Sequence, residues 1–337
     1  MATDLADVVA RLPRELRVSV GTDADIERSV EFLNRYASPG RWMSPSVVRR
    51  AQAANPEPDR LVLLVEDALG ALQAHGSVGD GGVWASPDGS WRLNLRVAPA
   101  WRRRAVARAL LARLETHARG HRASRIVTAI RGDEPEGLRF AEAMGYRAYH
   151  ERIESFLDPT AFDASRFDDP DRAAADLGIR LVSYAELERE LGPRFETFQR
   201  ALLALIWTAG RDVPTPTPQP AEPPAFEKAK DMFFGEGVID PDATFIALRD
   251  GRPVGETATD VKENGVAYTH FTGVAREERG KGIALLLKLR AIRSLKERGI
   301  KVFGTTNDEA NAAMRGINRK LGYTPEPATI MVEKRFT

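Results

Sequence analysis

With 337 residues, 43% hydrophobic content and a formal net charge of +1, the chain is long enough for two domains and gives no overall electrostatic reason to expect nucleic acid or a membrane surface as its partner. It contains no cysteine, which excludes a disulfide framework, a thiolate nucleophile and cysteine-ligated metal, and its five histidines are too scattered for a metal cluster. The first residues are acidic rather than basic, and the longest apolar run, ALLALIW, falls far short of the about 20 residues that span a bilayer, so a cytoplasmic location is expected.

The first predicted element is a helix from Asp23 to Tyr36, with Thr22 or Asp23 as its N-cap. A hairpin follows in RLVLLVEDALGALQAHGSV, then a strand in SWRLNLRVA and a helix beginning near Arg104. Residues 159–176 are polar and contain proline, as expected of a linker, which divides the chain into domains at 1–158 and 177–337. The apolar helix FETFQRALLALIWTA leads into DVPTPTPQPAEPPAF, a proline-rich segment that reads either as the wall of a cleft or as a surface spacer. After a helix-like FEKAKDMFF comes a second hairpin, ATFIALRDGRPVGETATDV, turning at Arg249-Asp250-Gly251-Arg252, and a third strand in GVAYTHFTGVA. A glycine-bearing turn opens a helix with Leu285, Leu289, Ile292 and Leu295 at helical spacing and Gly299 as its C-cap. A short strand KVFGTT, a helix from about Glu309 to Leu321 and a last strand TIMVEKRF complete the chain.

The two halves repeat at a constant offset: 274 − 97 = 177 for valines, 279 − 102 = 177 for arginines and 322 − 145 = 177 for glycines. FAEAMGYR therefore lies over INRKLGYT, and two similar domains are expected.

The turn Arg279-Gly280-Lys281-Gly282-Ile283-Ala284 combines glycines, which let the backbone approach a ligand, with the positive end of the following helix. That combination is a phosphate cradle. It lacks the G-x-x-x-x-G-K-[ST] spacing of a Walker loop, and Leu285 occupies the third glycine position of a dinucleotide-binding turn. The six residues match the R-x-x-G-x-G/A signature of the GNAT N-acyltransferases, and the order of elements around them, with Asn311 and LGY downstream, resembles that family. The resemblance covers nearly all of the second copy and extends weakly to the first. It implies an α/β fold of two tandem GNAT-like domains, each with a mixed, largely antiparallel sheet flanked by helices. It further implies acetyl-CoA as cofactor, with its pyrophosphate on the backbone of Arg279, Gly280, Lys281, Gly282, Ile283 and Ala284, the main chain of Val274 on the acetyl and pantetheine groups, and Asn311 in contact with the cofactor.

An alkyl amine of pKa about 10.4 costs about 4.6 kcal/mol to present neutral at pH 7, so a base is worth having. Strict alternation places Tyr268, His270 and Thr272 on the face of Val274. His270 is the first candidate base and is otherwise a structural hydrogen-bonding residue; Glu256 and Asp260, on the preceding strand, would relay a proton or recognise a cationic acceptor. The tyrosine that many family members use as acid to the leaving thiolate is here Asn318, leaving Tyr268 or unaided departure. Asp212, Trp207 and Phe226 are candidates for acceptor binding.

In the first copy Arg103 and Ala105 replace both glycines, so that copy is expected to bind coenzyme weakly or not at all and to complete the acceptor cleft. The expected function is acetyl transfer to the primary amine of a small molecule by a monomer or homodimer, without metal. The alternative is a non-catalytic acyl-CoA sensor, and a third reading, nucleic-acid binding through Arg102 to Arg104, is disfavoured by the balanced charge.

Overall fold

The computed structural model of the chain describes residues 5–215, 218 and 220–336; Pro216, Thr217 and Gln219 of the proline-rich segment lie outside the described residues. Two compact units result.

The first unit runs through α1 (Ala6–Val9), β1 (Arg17–Val20), α2 (Ile26–Asn34), α3 (Pro45–Ala54), β2 (Leu61–Glu66), β3 (Leu72–Gly79), β4 (Ser90–Val97), α4 (Val106–Gly120), β5 (Arg125–Arg131) and α5 (Pro135–Ala143). Strands β1 to β4 pair antiparallel in chain order, and β4 pairs β5 parallel. A parallel pair needs a crossover, which α4 supplies while burying Leu110, Leu111 and Leu114 against Leu63, Val65 and Ile126. Antiparallel to β5 lies the C-terminal strand of the whole chain, Thr329–Arg335, whose Val332 enters this core.

The second unit contains the latter half of β6 (Arg147–Leu157), then α6 (Pro170–Asp176), β7 (Arg180–Ser183), α7 (Tyr184–Leu191), α8 (Phe195–Gly210), α9 (Phe226–Phe234), β8 (Phe245–Arg249), β9 (Arg252–Val261), β10 (Val266–Val274), α10 (Ile283–Glu297), β11 (Val302–Asp308), α11 (Ala312–Leu321) and β12 (Thr324–Pro325). Strand Thr329–Arg335 is β13. The sheet order is β7-β8-β9-β10-β11-β6, with only β10 and β11 parallel. Helix α10 covers one face with Ile283, Leu287 and Ile292, and α8 covers the other with Phe198, Leu202 and Ile206.

Two expectations about organisation change. The domains do not divide cleanly at 158 and 177, because β6 serves the second unit and β13 the first. Nor is 159–176 a free linker: Phe162 and Ala174 are buried in the α10 core, and α6 is capped by the Asp169 side chain.

Candidate active site

Strand β10 pairs with β11 only from Val266–Val302 to Thr269–Thr305, although β10 continues to Val274 and β11 to Asp308. The strands therefore splay, and the edge of residues 270–274 is left without a strand partner on that side. At the end of this edge begins the cradle. Gly280 and Gly282 have φ of +77° and +86°, and a Cβ at either would meet only open space, so here glycine serves conformation rather than packing. Gly282 is the N-cap of α10; its carbonyl accepts the Leu285 and Leu286 amides, which leaves those of Ile283 and Ala284 at the positive end of the helix. Arg279 donates from Nε to the Val274 carbonyl at 2.9 Å, which fixes the cradle to the strand end.

A β-bulge between Thr269 and Phe271 leaves His270 as the extra residue of β10. It reverses the alternation, as shown by Ala267 and Val274, an odd and an even position, packing into the same α10 core. Tyr268 and His270 therefore lie on the α8 face, opposite Thr272 and Val274, which overturns the expectation that all four share one face. Asp260 pairs with Tyr268, and Glu256 lies between Ile246 and Gly273, so both acids also face α8. The cradle helix and Val274 thus lie on one side of the splay and the candidate acid–base groups on the other.

Glu256 is 1% exposed, and its Oε2 has no hydrogen-bond partner. Burial without a counter-charge pushes its carboxyl up to about 8. His270 is exposed, with Nε2 3.2 Å from Oδ2 of Asp260, and that same oxygen lies 3.0 Å from Lys262 Nζ. Asp260 is therefore already charge-paired on one oxygen.

The Tyr268 hydroxyl donates to Glu154 Oε1 at 2.9 Å and also contacts the Thr306 hydroxyl. Its proton is thus committed to a buried carboxylate rather than free for a leaving group. Sequence reasoning missed Glu154, which reaches this face from β6, 114 residues away. Tyr268 reaches it across Gly304, where any Cβ would lie 2.6 Å from both the Tyr268 and Phe156 rings.

Asn311 caps α11, accepting from the Met314 amide at 3.2 Å, and Asn318 is buried with its amide on Asn307. Asp212, expected to receive a cationic acceptor, is instead held by Arg276 and Arg279, which keep its carboxyl well below the usual range. Trp207 is half-buried on α8, and Phe226 packs under the Arg200 guanidinium at 3.8 Å.

The first copy repeats this architecture with different side chains. Strands β4 and β5 pair only from Ser90–Arg125 to Arg92–Val127 and then diverge, and Arg102 Nε donates to the Val97 carbonyl at 3.2 Å. Arg103 and Ala105 hold φ of +59° and +64°, the left-handed geometry of their glycine counterparts, at a cost of roughly 1 to 2 kcal/mol each. His75, across from Arg96, occupies the position that Glu256 holds across from Gly273.

The chain matches the acetyltransferase (GNAT) family over residues 30–146 and again over 207–323. It belongs to that family, in tandem. The two matches are themselves offset by 207 − 30 = 177 residues, the period of the internal repeat. Over its whole length the fold is similar to a GCN5-related N-acetyltransferase from Sphaerobacter thermophilus, with TM-score 0.69, 19% identity and 96% of each chain covered. It is also similar to a tandem GNAT protein from the clavulanic acid biosynthesis pathway, with TM-score 0.65, 20% identity and 95% and 98% covered. A mycothiol acetyltransferase from Thermomonospora curvata is 28% identical over 95 residues, so the chain spans about a third of that relative, 32% of its length. Among the described residues no helix is long and apolar enough to cross a membrane, and no cluster of three or more His, Asp or Glu residues is placed to hold a metal ion.

Proposed function

We propose that the second unit transfers an acetyl group from acetyl-CoA to the primary amine of a small molecule, by direct attack in a ternary complex. The cradle of residues 279–284 would take the pyrophosphate on backbone amides, and the open edge ending at Val274 would bond the pantetheine and orient the thioester carbonyl in the splay. The observation that carries the reading is Glu256, a buried carboxylate with an unpartnered oxygen beside the splay, on the face opposite the cradle helix.

In its ionised form, which grows as pH approaches 8, the Glu256 carboxylate would take the proton of an arriving ammonium and leave a neutral amine to attack the thioester. A base near 8 leaves about 2.4 units, or about 3.3 kcal/mol, to be met by positioning. His270 and Asp260 line the same face toward solvent and would pass the proton outward. With Asn318 unable to donate one and Tyr268 bonded to Glu154, the thiolate leaves unaided, which at a thiol pKa of about 8.5 forgoes only about 2 kcal/mol of protonation at pH 7. Tyr268 then positions the acceptor face rather than acting as an acid.

The likeness to a mycothiol acetyltransferase supports a small-molecule acceptor. Asn318 is also the residue that would suit a non-catalytic acyl-CoA sensor. Thioester consumption across a panel of amines, in wild type and Glu256→Gln, decides between them: transfer lost in the variant with coenzyme affinity retained supports the enzyme, whereas tight coenzyme binding without transfer supports the sensor.

A further inference from the structure

Glu256 is sealed in this structure, and what seals it is tied to the cradle. A Cβ placed on Gly273, its cross-strand partner, would clash with the Phe271 ring and lie 3.0 Å from the Cβ of Ala209 in the last turn of α8, so the Phe271 ring and the end of that helix together cover the pair. Two residues beyond α8, Asp212 accepts Nε of Arg276 at 2.8 Å and a second bond from the same guanidinium, and lies 2.8 Å from Nη2 of Arg279. Arg279 is the residue that holds the Val274 carbonyl. One carboxylate at the exit of the acceptor-side helix therefore spans the two guanidinium groups at the entrance to the cradle.

The third cradle cation, Lys281, is held at 2.8 Å by Glu278, which also binds Arg249. The cradle's positive side chains are thus all neutralised by the protein's own acids, and a diphosphate must compete for them. Glu278 sits within the turn itself. Asp212 arrives from elsewhere, on a segment secured by the bonds of the Asp212 amide to Ala209 and of the Val213 amide to Gly210. Its counterpart in the first copy, at 212 − 177 = 35, is Arg35, and there the cradle arginine Arg102 meets a carboxylate, Glu136, only at 4.0 Å.

We propose that Asp212 is a displaceable internal anion that occupies Arg276 and Arg279 until the coenzyme's phosphates take them, so that coenzyme binding frees the end of α8 and uncovers Glu256 for the amine. The proposal rests on the coenzyme reading above. Asp212 is then a positioning residue that makes coenzyme the first ligand to bind.

Amide hydrogen exchange of the full-length protein, with and without acetyl-CoA, together with calorimetric titration of acetyl-CoA into wild type, Asp212→Asn and Asp212→Glu, tests it. In wild type, the amides of Gly210, Asp212 and Val213 should exchange faster once acetyl-CoA is bound. Asp212→Asn should exchange fast without ligand and bind acetyl-CoA about five-fold tighter, its competing charge being gone, while Asp212→Glu should restore both wild-type values. A merely structural aspartate would weaken binding when replaced. Unchanged or slower exchange in liganded wild type, or weaker binding by Asp212→Asn, overturns the latch and leaves the coenzyme reading intact. No acetyl-CoA binding by wild type overturns both.

Discussion

Arg279 and Val274 are joined by a bond from the guanidinium Nε to the strand-ending carbonyl, and Arg102 and Val97 repeat it 177 residues earlier, at 2.9 and 3.2 Å. The bond fixes where the cradle begins relative to the splayed edge, and both copies keep it even though only one keeps the glycines. Such a bond contributes about 1 to 2 kcal/mol. Because only the second cradle is expected to hold coenzyme, Arg279→Ala should raise the acetyl-CoA dissociation constant about tenfold, whereas Arg102→Ala should leave it unchanged. Titration of both variants checks this, and equal losses would mean that the first copy also binds.

The pH dependence of turnover separates the two candidate bases. With the Glu256 carboxyl pushed up to about 8, kcat/KM should rise with pH through an acidic limb near 8, and Glu256→Gln should abolish that limb along with most of the rate. His270→Gln should retain the limb. Loss of the acidic limb in His270→Gln, with the limb retained in Glu256→Gln, would transfer the base to the bulge.

Two buried groups give stability a minimum near neutral pH. Glu256 holds its proton to about 8 when folded against 4.5 unfolded, so between those values the native state binds more protons and stability falls as pH rises. Lys288, 0% exposed and without a hydrogen-bond partner, is lowered to about 7 from 10.5. Between those values the unfolded state binds more protons, so stability climbs with pH. The two windows meet between pH 7 and 8. Lys288→Met, which removes a shift of about 3.5 units, should flatten the alkaline rise and stabilise the protein at neutral pH by several kcal/mol, on the order of 4. Glu256→Gln should flatten the acidic fall. Denaturant midpoints from pH 5 to 10 check both.

Much of this arrangement is legible in the residue order, and the remainder has identifiable causes. The repeat period is a constant offset in the sequence and reappears in the two family matches, and the glycines of the cradle are a local pattern whose left-handed backbone the structure shows. The bulge at His270 has no comparable signal: one extra residue leaves the run of β-forming side chains unbroken while inverting every later position, so strict alternation puts Thr272 and Val274 on the wrong face. The exchange of β6 and β13 is hidden for a related reason, since alternation reveals a strand but not which sheet edge it will complete. Glu154 enters the site through that exchange. Asp212 reads as a free acid because nothing in the chain order places Arg276 and Arg279 beside it.

The left-handed Ala105 offers a stability test of the first cradle. If its backbone is held at φ +64° by the surrounding turn, Ala105→Gly should relieve the clash of its Cβ and stabilise the first unit by about 1 kcal/mol. Chemical denaturation reads the shift directly; a destabilised variant would mean that the turn adopts ordinary helical dihedrals in solution.

Gly304 is the last residue whose replacement separates structure from chemistry. It lies in β11 beside the Tyr268 ring, where an added Cβ would sit 2.6 Å from that ring and from Phe156. Neither ring is the flexible end of a long side chain, so one or both must shift, and movement of Tyr268 would part its hydroxyl from Glu154. The variant should lose about 2 kcal/mol or more from the overpacking and the buried carboxylate left behind. If Tyr268 only positions the acceptor face, Gly304→Ala should raise the acceptor KM with little change in kcat once folded. The variant Tyr268→Phe, which removes the hydroxyl without the clash, should behave alike. A kcat loss of a hundredfold or more in both would instead make the Tyr268 proton the one delivered to the leaving thiolate.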